Sequence, residues 1–107
     1  MEFAVNKLKW TMELVDEDKV LLNKEDRVIL GLTDYIVQRI SIRKGMSEQL
    51  TRRTVIHELC HCFLFSFGFN VSAYDEETVC NLFESHADSI LKLTNEFMEK
   101  GAKEDVE

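Results

Sequence analysis

Polar and apolar residues alternate strictly along Lys7-Leu8-Lys9-Trp10-Thr11-Met12-Glu13-Leu14. A period of two predicts a strand with one buried face. Asp16 to Lys19 breaks the alternation and reads as a turn, and Val20 to Asp26 suits either a short strand or a loop. Arg27 to Leu32 reads as a second strand, and Thr33-Asp34-Tyr35 as the turn after it. Ile36 to Arg43 reads as a third strand, with Ile36, Ile40 and Ile42 on one face and Arg39, Ser41 and Arg43 on the other. Gln38 interrupts its apolar face.

Beyond Ser47 the period changes to that of a helix. Ser47 can cap a helix whose first turn carries Glu48. The stripe Ile56, Leu59, Cys60, Phe63, Phe67 has helical spacing, and Gly68 stands where a left-handed residue ends a helix. Phe69 to Tyr74 reads as a connector, in which Tyr74 would anchor the loop. Asp75 can cap a second helix with the stripe Val79, Phe83, His86, Ile90, Leu93, Phe97. From about Gly101 the chain is polar and is expected to fray. The predicted architecture is α+β, a small antiparallel sheet packed on two main helices, as one domain spanning all 107 residues.

With 45% apolar residues the chain is globular rather than disordered. No run is long enough to span a membrane, and no export signal stands at the start. The expected location is cytoplasmic. The three cysteines, Cys60, Cys62 and Cys80, then read as reduced thiols, with Cys60 in the core. A net charge of −7 argues against nucleic acid as a partner. One segment runs against that charge, with Arg39, Arg43, Lys44, Arg52 and Arg53 opposed only by Glu48. It reads either as a solvated face or as a basic rim favouring an acidic substrate segment.

Within the first helix stands His57-Glu58-Leu59-Cys60-His61, a match to H-E-x-x-H. Residues four apart on a helix lie about 40° apart in projection, so both imidazoles can face one metal ion. Glu58 lies roughly 100° further round, where a carboxylate can take a proton from a metal-bound water. Neutral imidazole suits Zn2+. His57 and His61 are thus the candidate metal ligands and Glu58 the candidate catalytic base.

A catalytic zinc needs a third protein ligand. The extended metzincin pattern is excluded, because Leu64 and Phe67 occupy the places where it needs glycine and histidine. A carboxylate from the second helix is the remaining common solution. Glu76 and Glu77 open that helix, 15 and 16 residues after His61. Periodicity alone mildly favours Glu76.

Thr54 to His61, followed by Asp75-Glu76-Glu77-Thr78-Val79-Cys80-Asn81-Leu82-Phe83, resembles the gluzincin-type arrangement. There a ligand Glu precedes a small residue at +3, Asp or Asn at +4 and an aromatic at +6. Glu77, Cys80, Asn81 and Phe83 match that register, whereas Glu84 departs from the usual Ala or Gly. The chain also resembles short phage and prophage metallopeptidase-like proteins related to the ImmA/IrrE group, over roughly Gly31 to Ile90. The resemblance implies a minimal zincin-like domain with Glu77 as the third ligand and Glu76 as the alternate. Asn81, a turn further on, would orient one of the histidines from behind. It implies a zinc metallopeptidase cutting a protein or peptide substrate, with a regulatory protein of a mobile element as target. The extended substrate would pair with a free sheet edge, the strand Ile36–Arg43.

The rival expectation is a non-catalytic metal-binding or regulatory module that acts by contact. A third is hydrolysis of a non-peptide amide. His86, on the stripe of the second helix, is expected as a hydrogen-bonded core histidine rather than a ligand.

Overall fold

A computed structural model describes residues 1–16, 29–68 and 76–101, with the side chains at 76, 77 and 101 left aside. The expected features at 17–28, the connector with Tyr74 and the Asp75 cap lie outside the described residues. Strands β1 (Glu2–Val5), β2 (Leu8–Val15), β3 (Gly31–Asp34) and β4 (Arg39–Arg43) precede helices α1 (Glu48–Ser66) and α2 (Glu76–Glu96). A π-helical turn, Phe97–Gly101, ends α2. The fold is α+β. No described helix is long and apolar enough to cross a membrane.

The four strands lie in the order β1-β2-β4-β3. β1 pairs antiparallel with β2, and β3 antiparallel with β4. The central pair runs parallel, Met12 facing Ile40 and Leu14 facing Ile42, so the sheet is mixed and not antiparallel throughout. β4 is consequently an inner strand. The edge expected there is found instead, among the described strands, at β1 and β3.

Two tight turns set these strands. Asn6 and Lys7 link Val5 to Leu8 with φ of 47° and 69°. Positive φ at both positions gives the two-residue hairpin whose twist suits the flanking strands. Ile36 and Val37 lie in the second turn, 91% and 60% exposed, so β4 is shorter than the expected strand. Asp34 Oδ1 accepts from the Ile36 amide at 2.9 Å and so rolls the chain into that turn. Gln38, at φ 55°, donates from its side chain to the Lys9 carbonyl at 2.6 Å. It serves the turn, which is why it interrupts the apolar face.

The sheet's inner face carries Trp10, Met12, Ile40 and Ile42, all fully buried together with Val55, Leu59 and Cys62 of α1. Burying one such side chain contributes about 1.5–3 kcal/mol. Trp10 Nε1 donates to Ser66 Oγ at 3.0 Å, and Asn6 Nδ2 to the Ser66 carbonyl at 2.9 Å. These bonds fix the end of α1 to the first hairpin. Ser47 caps α1, its hydroxyl accepting from the Leu50 amide at 3.1 Å, and Gly68 follows at φ 80°. Both ends of α1 are where the capping residues place them.

The buried faces are rotated from the expected stripes. Ile56 and Cys60 are only half-buried, while Val55 and Cys62 are in the core. On α2, Leu82, Ile90, Thr94 and Phe97 are buried, and Val79 and Phe83 are exposed. Thr94 is tolerated there because its hydroxyl donates to the Ile90 carbonyl at 2.8 Å. His86 is half-buried, with its ring tilted over Phe67 at 4.3 Å and Phe63 at 5.5 Å. That aromatic packing takes the place of the expected core hydrogen bond.

Candidate metal centre

α1 presents His57 and His61 on one face. Their ring centroids are 5.0 Å apart with planes at 70°. Two imidazoles sharing a tetrahedral zinc at about 2.1 Å place their centroids roughly 5 Å apart, so the separation of the pair matches that of two ligands on one ion. His57 is open to solvent, its side chain 69% exposed. His61 is half-buried, with Nδ1 at 3.5 Å from the Tyr35 hydroxyl, the outer limit of a hydrogen bond. With the proton on Nδ1, His61 donates to Tyr35, and Nε2 keeps its lone pair for a metal. Tyr35 is itself held by stacking on Phe65 at 4.8 Å.

Glu58 is buried, as a solvent-facing helix carboxylate would not be. Thr33 of β3 accounts for this. Its hydroxyl lies 2.8 Å from Glu58 Oε1 and 3.2 Å from the Glu58 carbonyl oxygen. A single proton serves one acceptor at a time, and the nearer carboxylate is the stronger. The other oxygen, Oε2, stands 4.0 Å from His57 Nε2, on the side of the histidine pair. β3 can come this close only because residue 31 is glycine. A Cβ there would meet Thr54 Cγ2 at 2.8 Å and Glu58 Cγ at 3.0 Å.

Two hollows flank His57. One, of about 490 Å³, lies towards β3 and is lined by Leu30, Gly31, Thr54 and Glu58. The other, of about 440 Å³, lies between α1 and α2 and is lined by Ile56, Cys60, Leu64, Leu82 and Phe83. Arg53 and His57 line both and form the ridge between them.

Comparison with protein-family models, curated proteins and solved structures finds no match to this chain. The chemistry of the site therefore stands on its own residues.

Of the residues expected at the site, the structure brings together His57, His61 and Glu58. The Glu77 and Glu76 side chains lie outside the described residues, though both belong to the first turn of α2, which packs on α1. Among the described residues no three of His, Cys, Asp and Glu form a metal-holding group. Asn81 is exposed and lines neither hollow, because the face of α2 turned to the histidines carries Val79, Leu82 and Phe83. Two residues of the site, Thr33 and Tyr35, carry no signal in the sequence. Both stand in a segment with the pattern of a bare turn, and no local pattern joins a threonine to a carboxylate 25 positions on.

The cysteines are free thiols, half-buried at Cys60, buried at Cys62 and exposed at Cys80. Burial pushes the Cys60 thiol up. It pushes Cys62 to about 12, against a smaller downward pull from Ser66. Alkylation needs the thiolate. At pH 8, native protein is expected to be labelled first at Cys80 and last at Cys62. Peptide mapping of a timed iodoacetamide reaction checks this, and early labelling of Cys62 would contradict its place in the core.

Proposed function

We propose that this protein is a zinc-dependent peptidase of gluzincin type, akin to the short ImmA/IrrE-like proteins, acting on a protein or peptide substrate in the cytoplasm. The observation that carries this reading is the buried Glu58 carboxylate. Thr33 holds one oxygen, and the other lies beside two histidines already spaced for one ion. Among the described residues Oε2 has no hydrogen bond, only the His57 ring at 4.0 Å, and a carboxylate so placed suits proton transfer. His57 and His61 would hold the zinc, with Glu77, or alternatively Glu76, as third ligand. Zinc, when bound, lowers the pKa of its water and polarises a carbonyl. Glu58 accepts the proton of the attacking water at Oε2 and returns it to the leaving amine. Tyr35 keeps the His61 ring in one orientation. β3, an edge strand among the described ones, borders the hollow beside Glu58, where an extended peptide would add as a strand. Three unpaired cysteines suit a reducing compartment.

Chelator competition on protein purified without chelator tests the metal reading. Glu77→Ala is expected to weaken zinc binding more than Glu76→Ala. The reverse order moves the ligand to Glu76, and wild-type protein that takes up no zinc ends the proposal.

Thr33→Val removes the hydroxyl and keeps the shape. Losing that bond costs about 1–1.5 kcal/mol of positioning, or roughly tenfold in kcat. Zinc content should not change. A Thr33→Ser variant that restores the rate would confirm that the hydroxyl matters rather than the packing.

A further inference from the structure

Five basic residues lie between Gln38 and Arg53. Four of them are engaged. Arg39 Nε faces Glu13 at 3.9 Å, Lys44 Nζ faces Asp16 at 3.5 Å, and Arg52 Nη1 donates to Asn95 Oδ1 at 2.9 Å. Arg43 also has a partner. Arg53 alone has no hydrogen bond or ion pair to a described residue. It is exposed and stands one helical turn before His57, on the ridge between the two hollows. Among the described residues this guanidinium gains nothing from pairing, and its charge opposes the binding of a cation by the neighbouring imidazoles. Of the five, Arg53 is the one that lines the two hollows, at the place where a substrate would pass.

The hollow next to it is walled by Ile56, Leu64, Leu82 and Phe83. Phe83 and Val79 are large exposed apolar side chains on its α2 side. A site that joins an apolar recess to one unpaired fork of donors suits an apolar side chain beside a carboxylate. The chain's net charge of −7 does not forbid this. At physiological salt, fields are screened within about 8 Å, so the nearest charge governs.

We infer that Arg53 is a specificity residue, and that the site takes peptide segments in which a large apolar residue is followed or preceded by an internal Asp or Glu. This rests on the peptidase reading. The apolar side chain enters the recess between α1 and α2, and the acidic side chain meets the Arg53 guanidinium. A lysine at that peptide position would meet like charge and be rejected.

The test uses zinc-loaded full-length protein carrying Glu58→Gln, so that bound peptides are not cut. A randomised decapeptide pool, N-acetylated and C-amidated, is passed over it and over the Glu58→Gln/Arg53→Glu double variant, and retained peptides are sequenced. The first protein should enrich Asp and Glu beside large apolar residues by about fivefold, the range of a solvent-exposed ion pair. The double variant should lose that preference and favour Lys or Arg, with an unchanged melting temperature. A Glu58→Gln/Arg53→Lys variant should keep a weaker acidic preference. Equal enrichment by both charge forms overturns the inference. So does retention of no peptide by protein that holds zinc. A preference that appears only for peptides with a free C-terminus would also overturn it, since Arg53 would then read a terminal carboxylate. Zinc content is measured on the same samples. Protein without zinc refutes the peptidase reading, whereas the peptides retained by zinc-loaded protein, and their dependence on Arg53, judge the inference.

Discussion

Glu58→Gln is expected to lower peptide hydrolysis by about 10² to 10⁴, the usual cost of losing a general base, while zinc content and melting temperature stay at wild-type values. Glutamine has nearly the shape of glutamate, so the buried position is refilled without a cavity. Thr33 can still donate at the oxygen it now holds at 2.8 Å. What is lost is the carboxylate lone pair at Oε2, the proposed proton acceptor. The measurement is a paired incubation of wild type and variant, at equal zinc content, with one cellular extract scored for new peptide termini. Equal cutting would remove Glu58 from the mechanism. If neither protein cuts and both retain the same partner, the fold acts by contact and the binding-module reading replaces catalysis.

His57→Ala should abolish stoichiometric zinc binding and with it the protection that zinc gives the fold. A ligand that binds only the native state at about 100 times its Kd contributes about 2.7 kcal/mol. For a chain of this size that raises Tm by roughly 10–20 °C. His57 is the cleaner of the two histidines for this test. Its side chain is 69% exposed, so alanine forfeits little packing. His61, against Tyr35, is part of a half-buried arrangement, so its replacement would mix metal loss with repacking. Calorimetric scans of wild type and His57→Ala, with and without zinc, should separate the curves only for wild type. A wild-type Tm indifferent to zinc would mean that the histidine pair binds no ion of consequence.

Several features are plain in the chain alone. The alternation from Leu8 to Leu14 is β2, and Ser47 and Gly68 bracket α1. The spacing of His57 and His61 holds them together because the helix itself sets a four-residue neighbour relation. All these are short-range properties of backbone and side chain, and neighbours in sequence decide them. β1, with four residues, is too short to show a pattern, although Asn6 at positive φ marks its turn. Ile36 has the side chain of a strand residue, whereas Asp34 turns the backbone there.

Pairing and coverage cannot be read in this way. The parallel contact of β2 with β4, which places β4 inside and β3 outermost among the described strands, joins segments far apart in the chain. The core side of α1 includes Val55 and Cys62 because a helix covered by a sheet and a second helix buries more than one stripe. The pentad singles out Glu58 as a candidate base, but the orientation of its carboxylate comes from Thr33 and from the missing Cβ at Gly31. Among five basic residues, only the packing of α1 against its neighbours left Arg53 beside His57 with no described partner. The sequence by itself determined which side chains are the candidates for chemistry, since helical spacing is local. The tertiary structure decided which oxygen, which sheet edge and which charge face the site, because each depends on contacts between segments that local propensity does not encode.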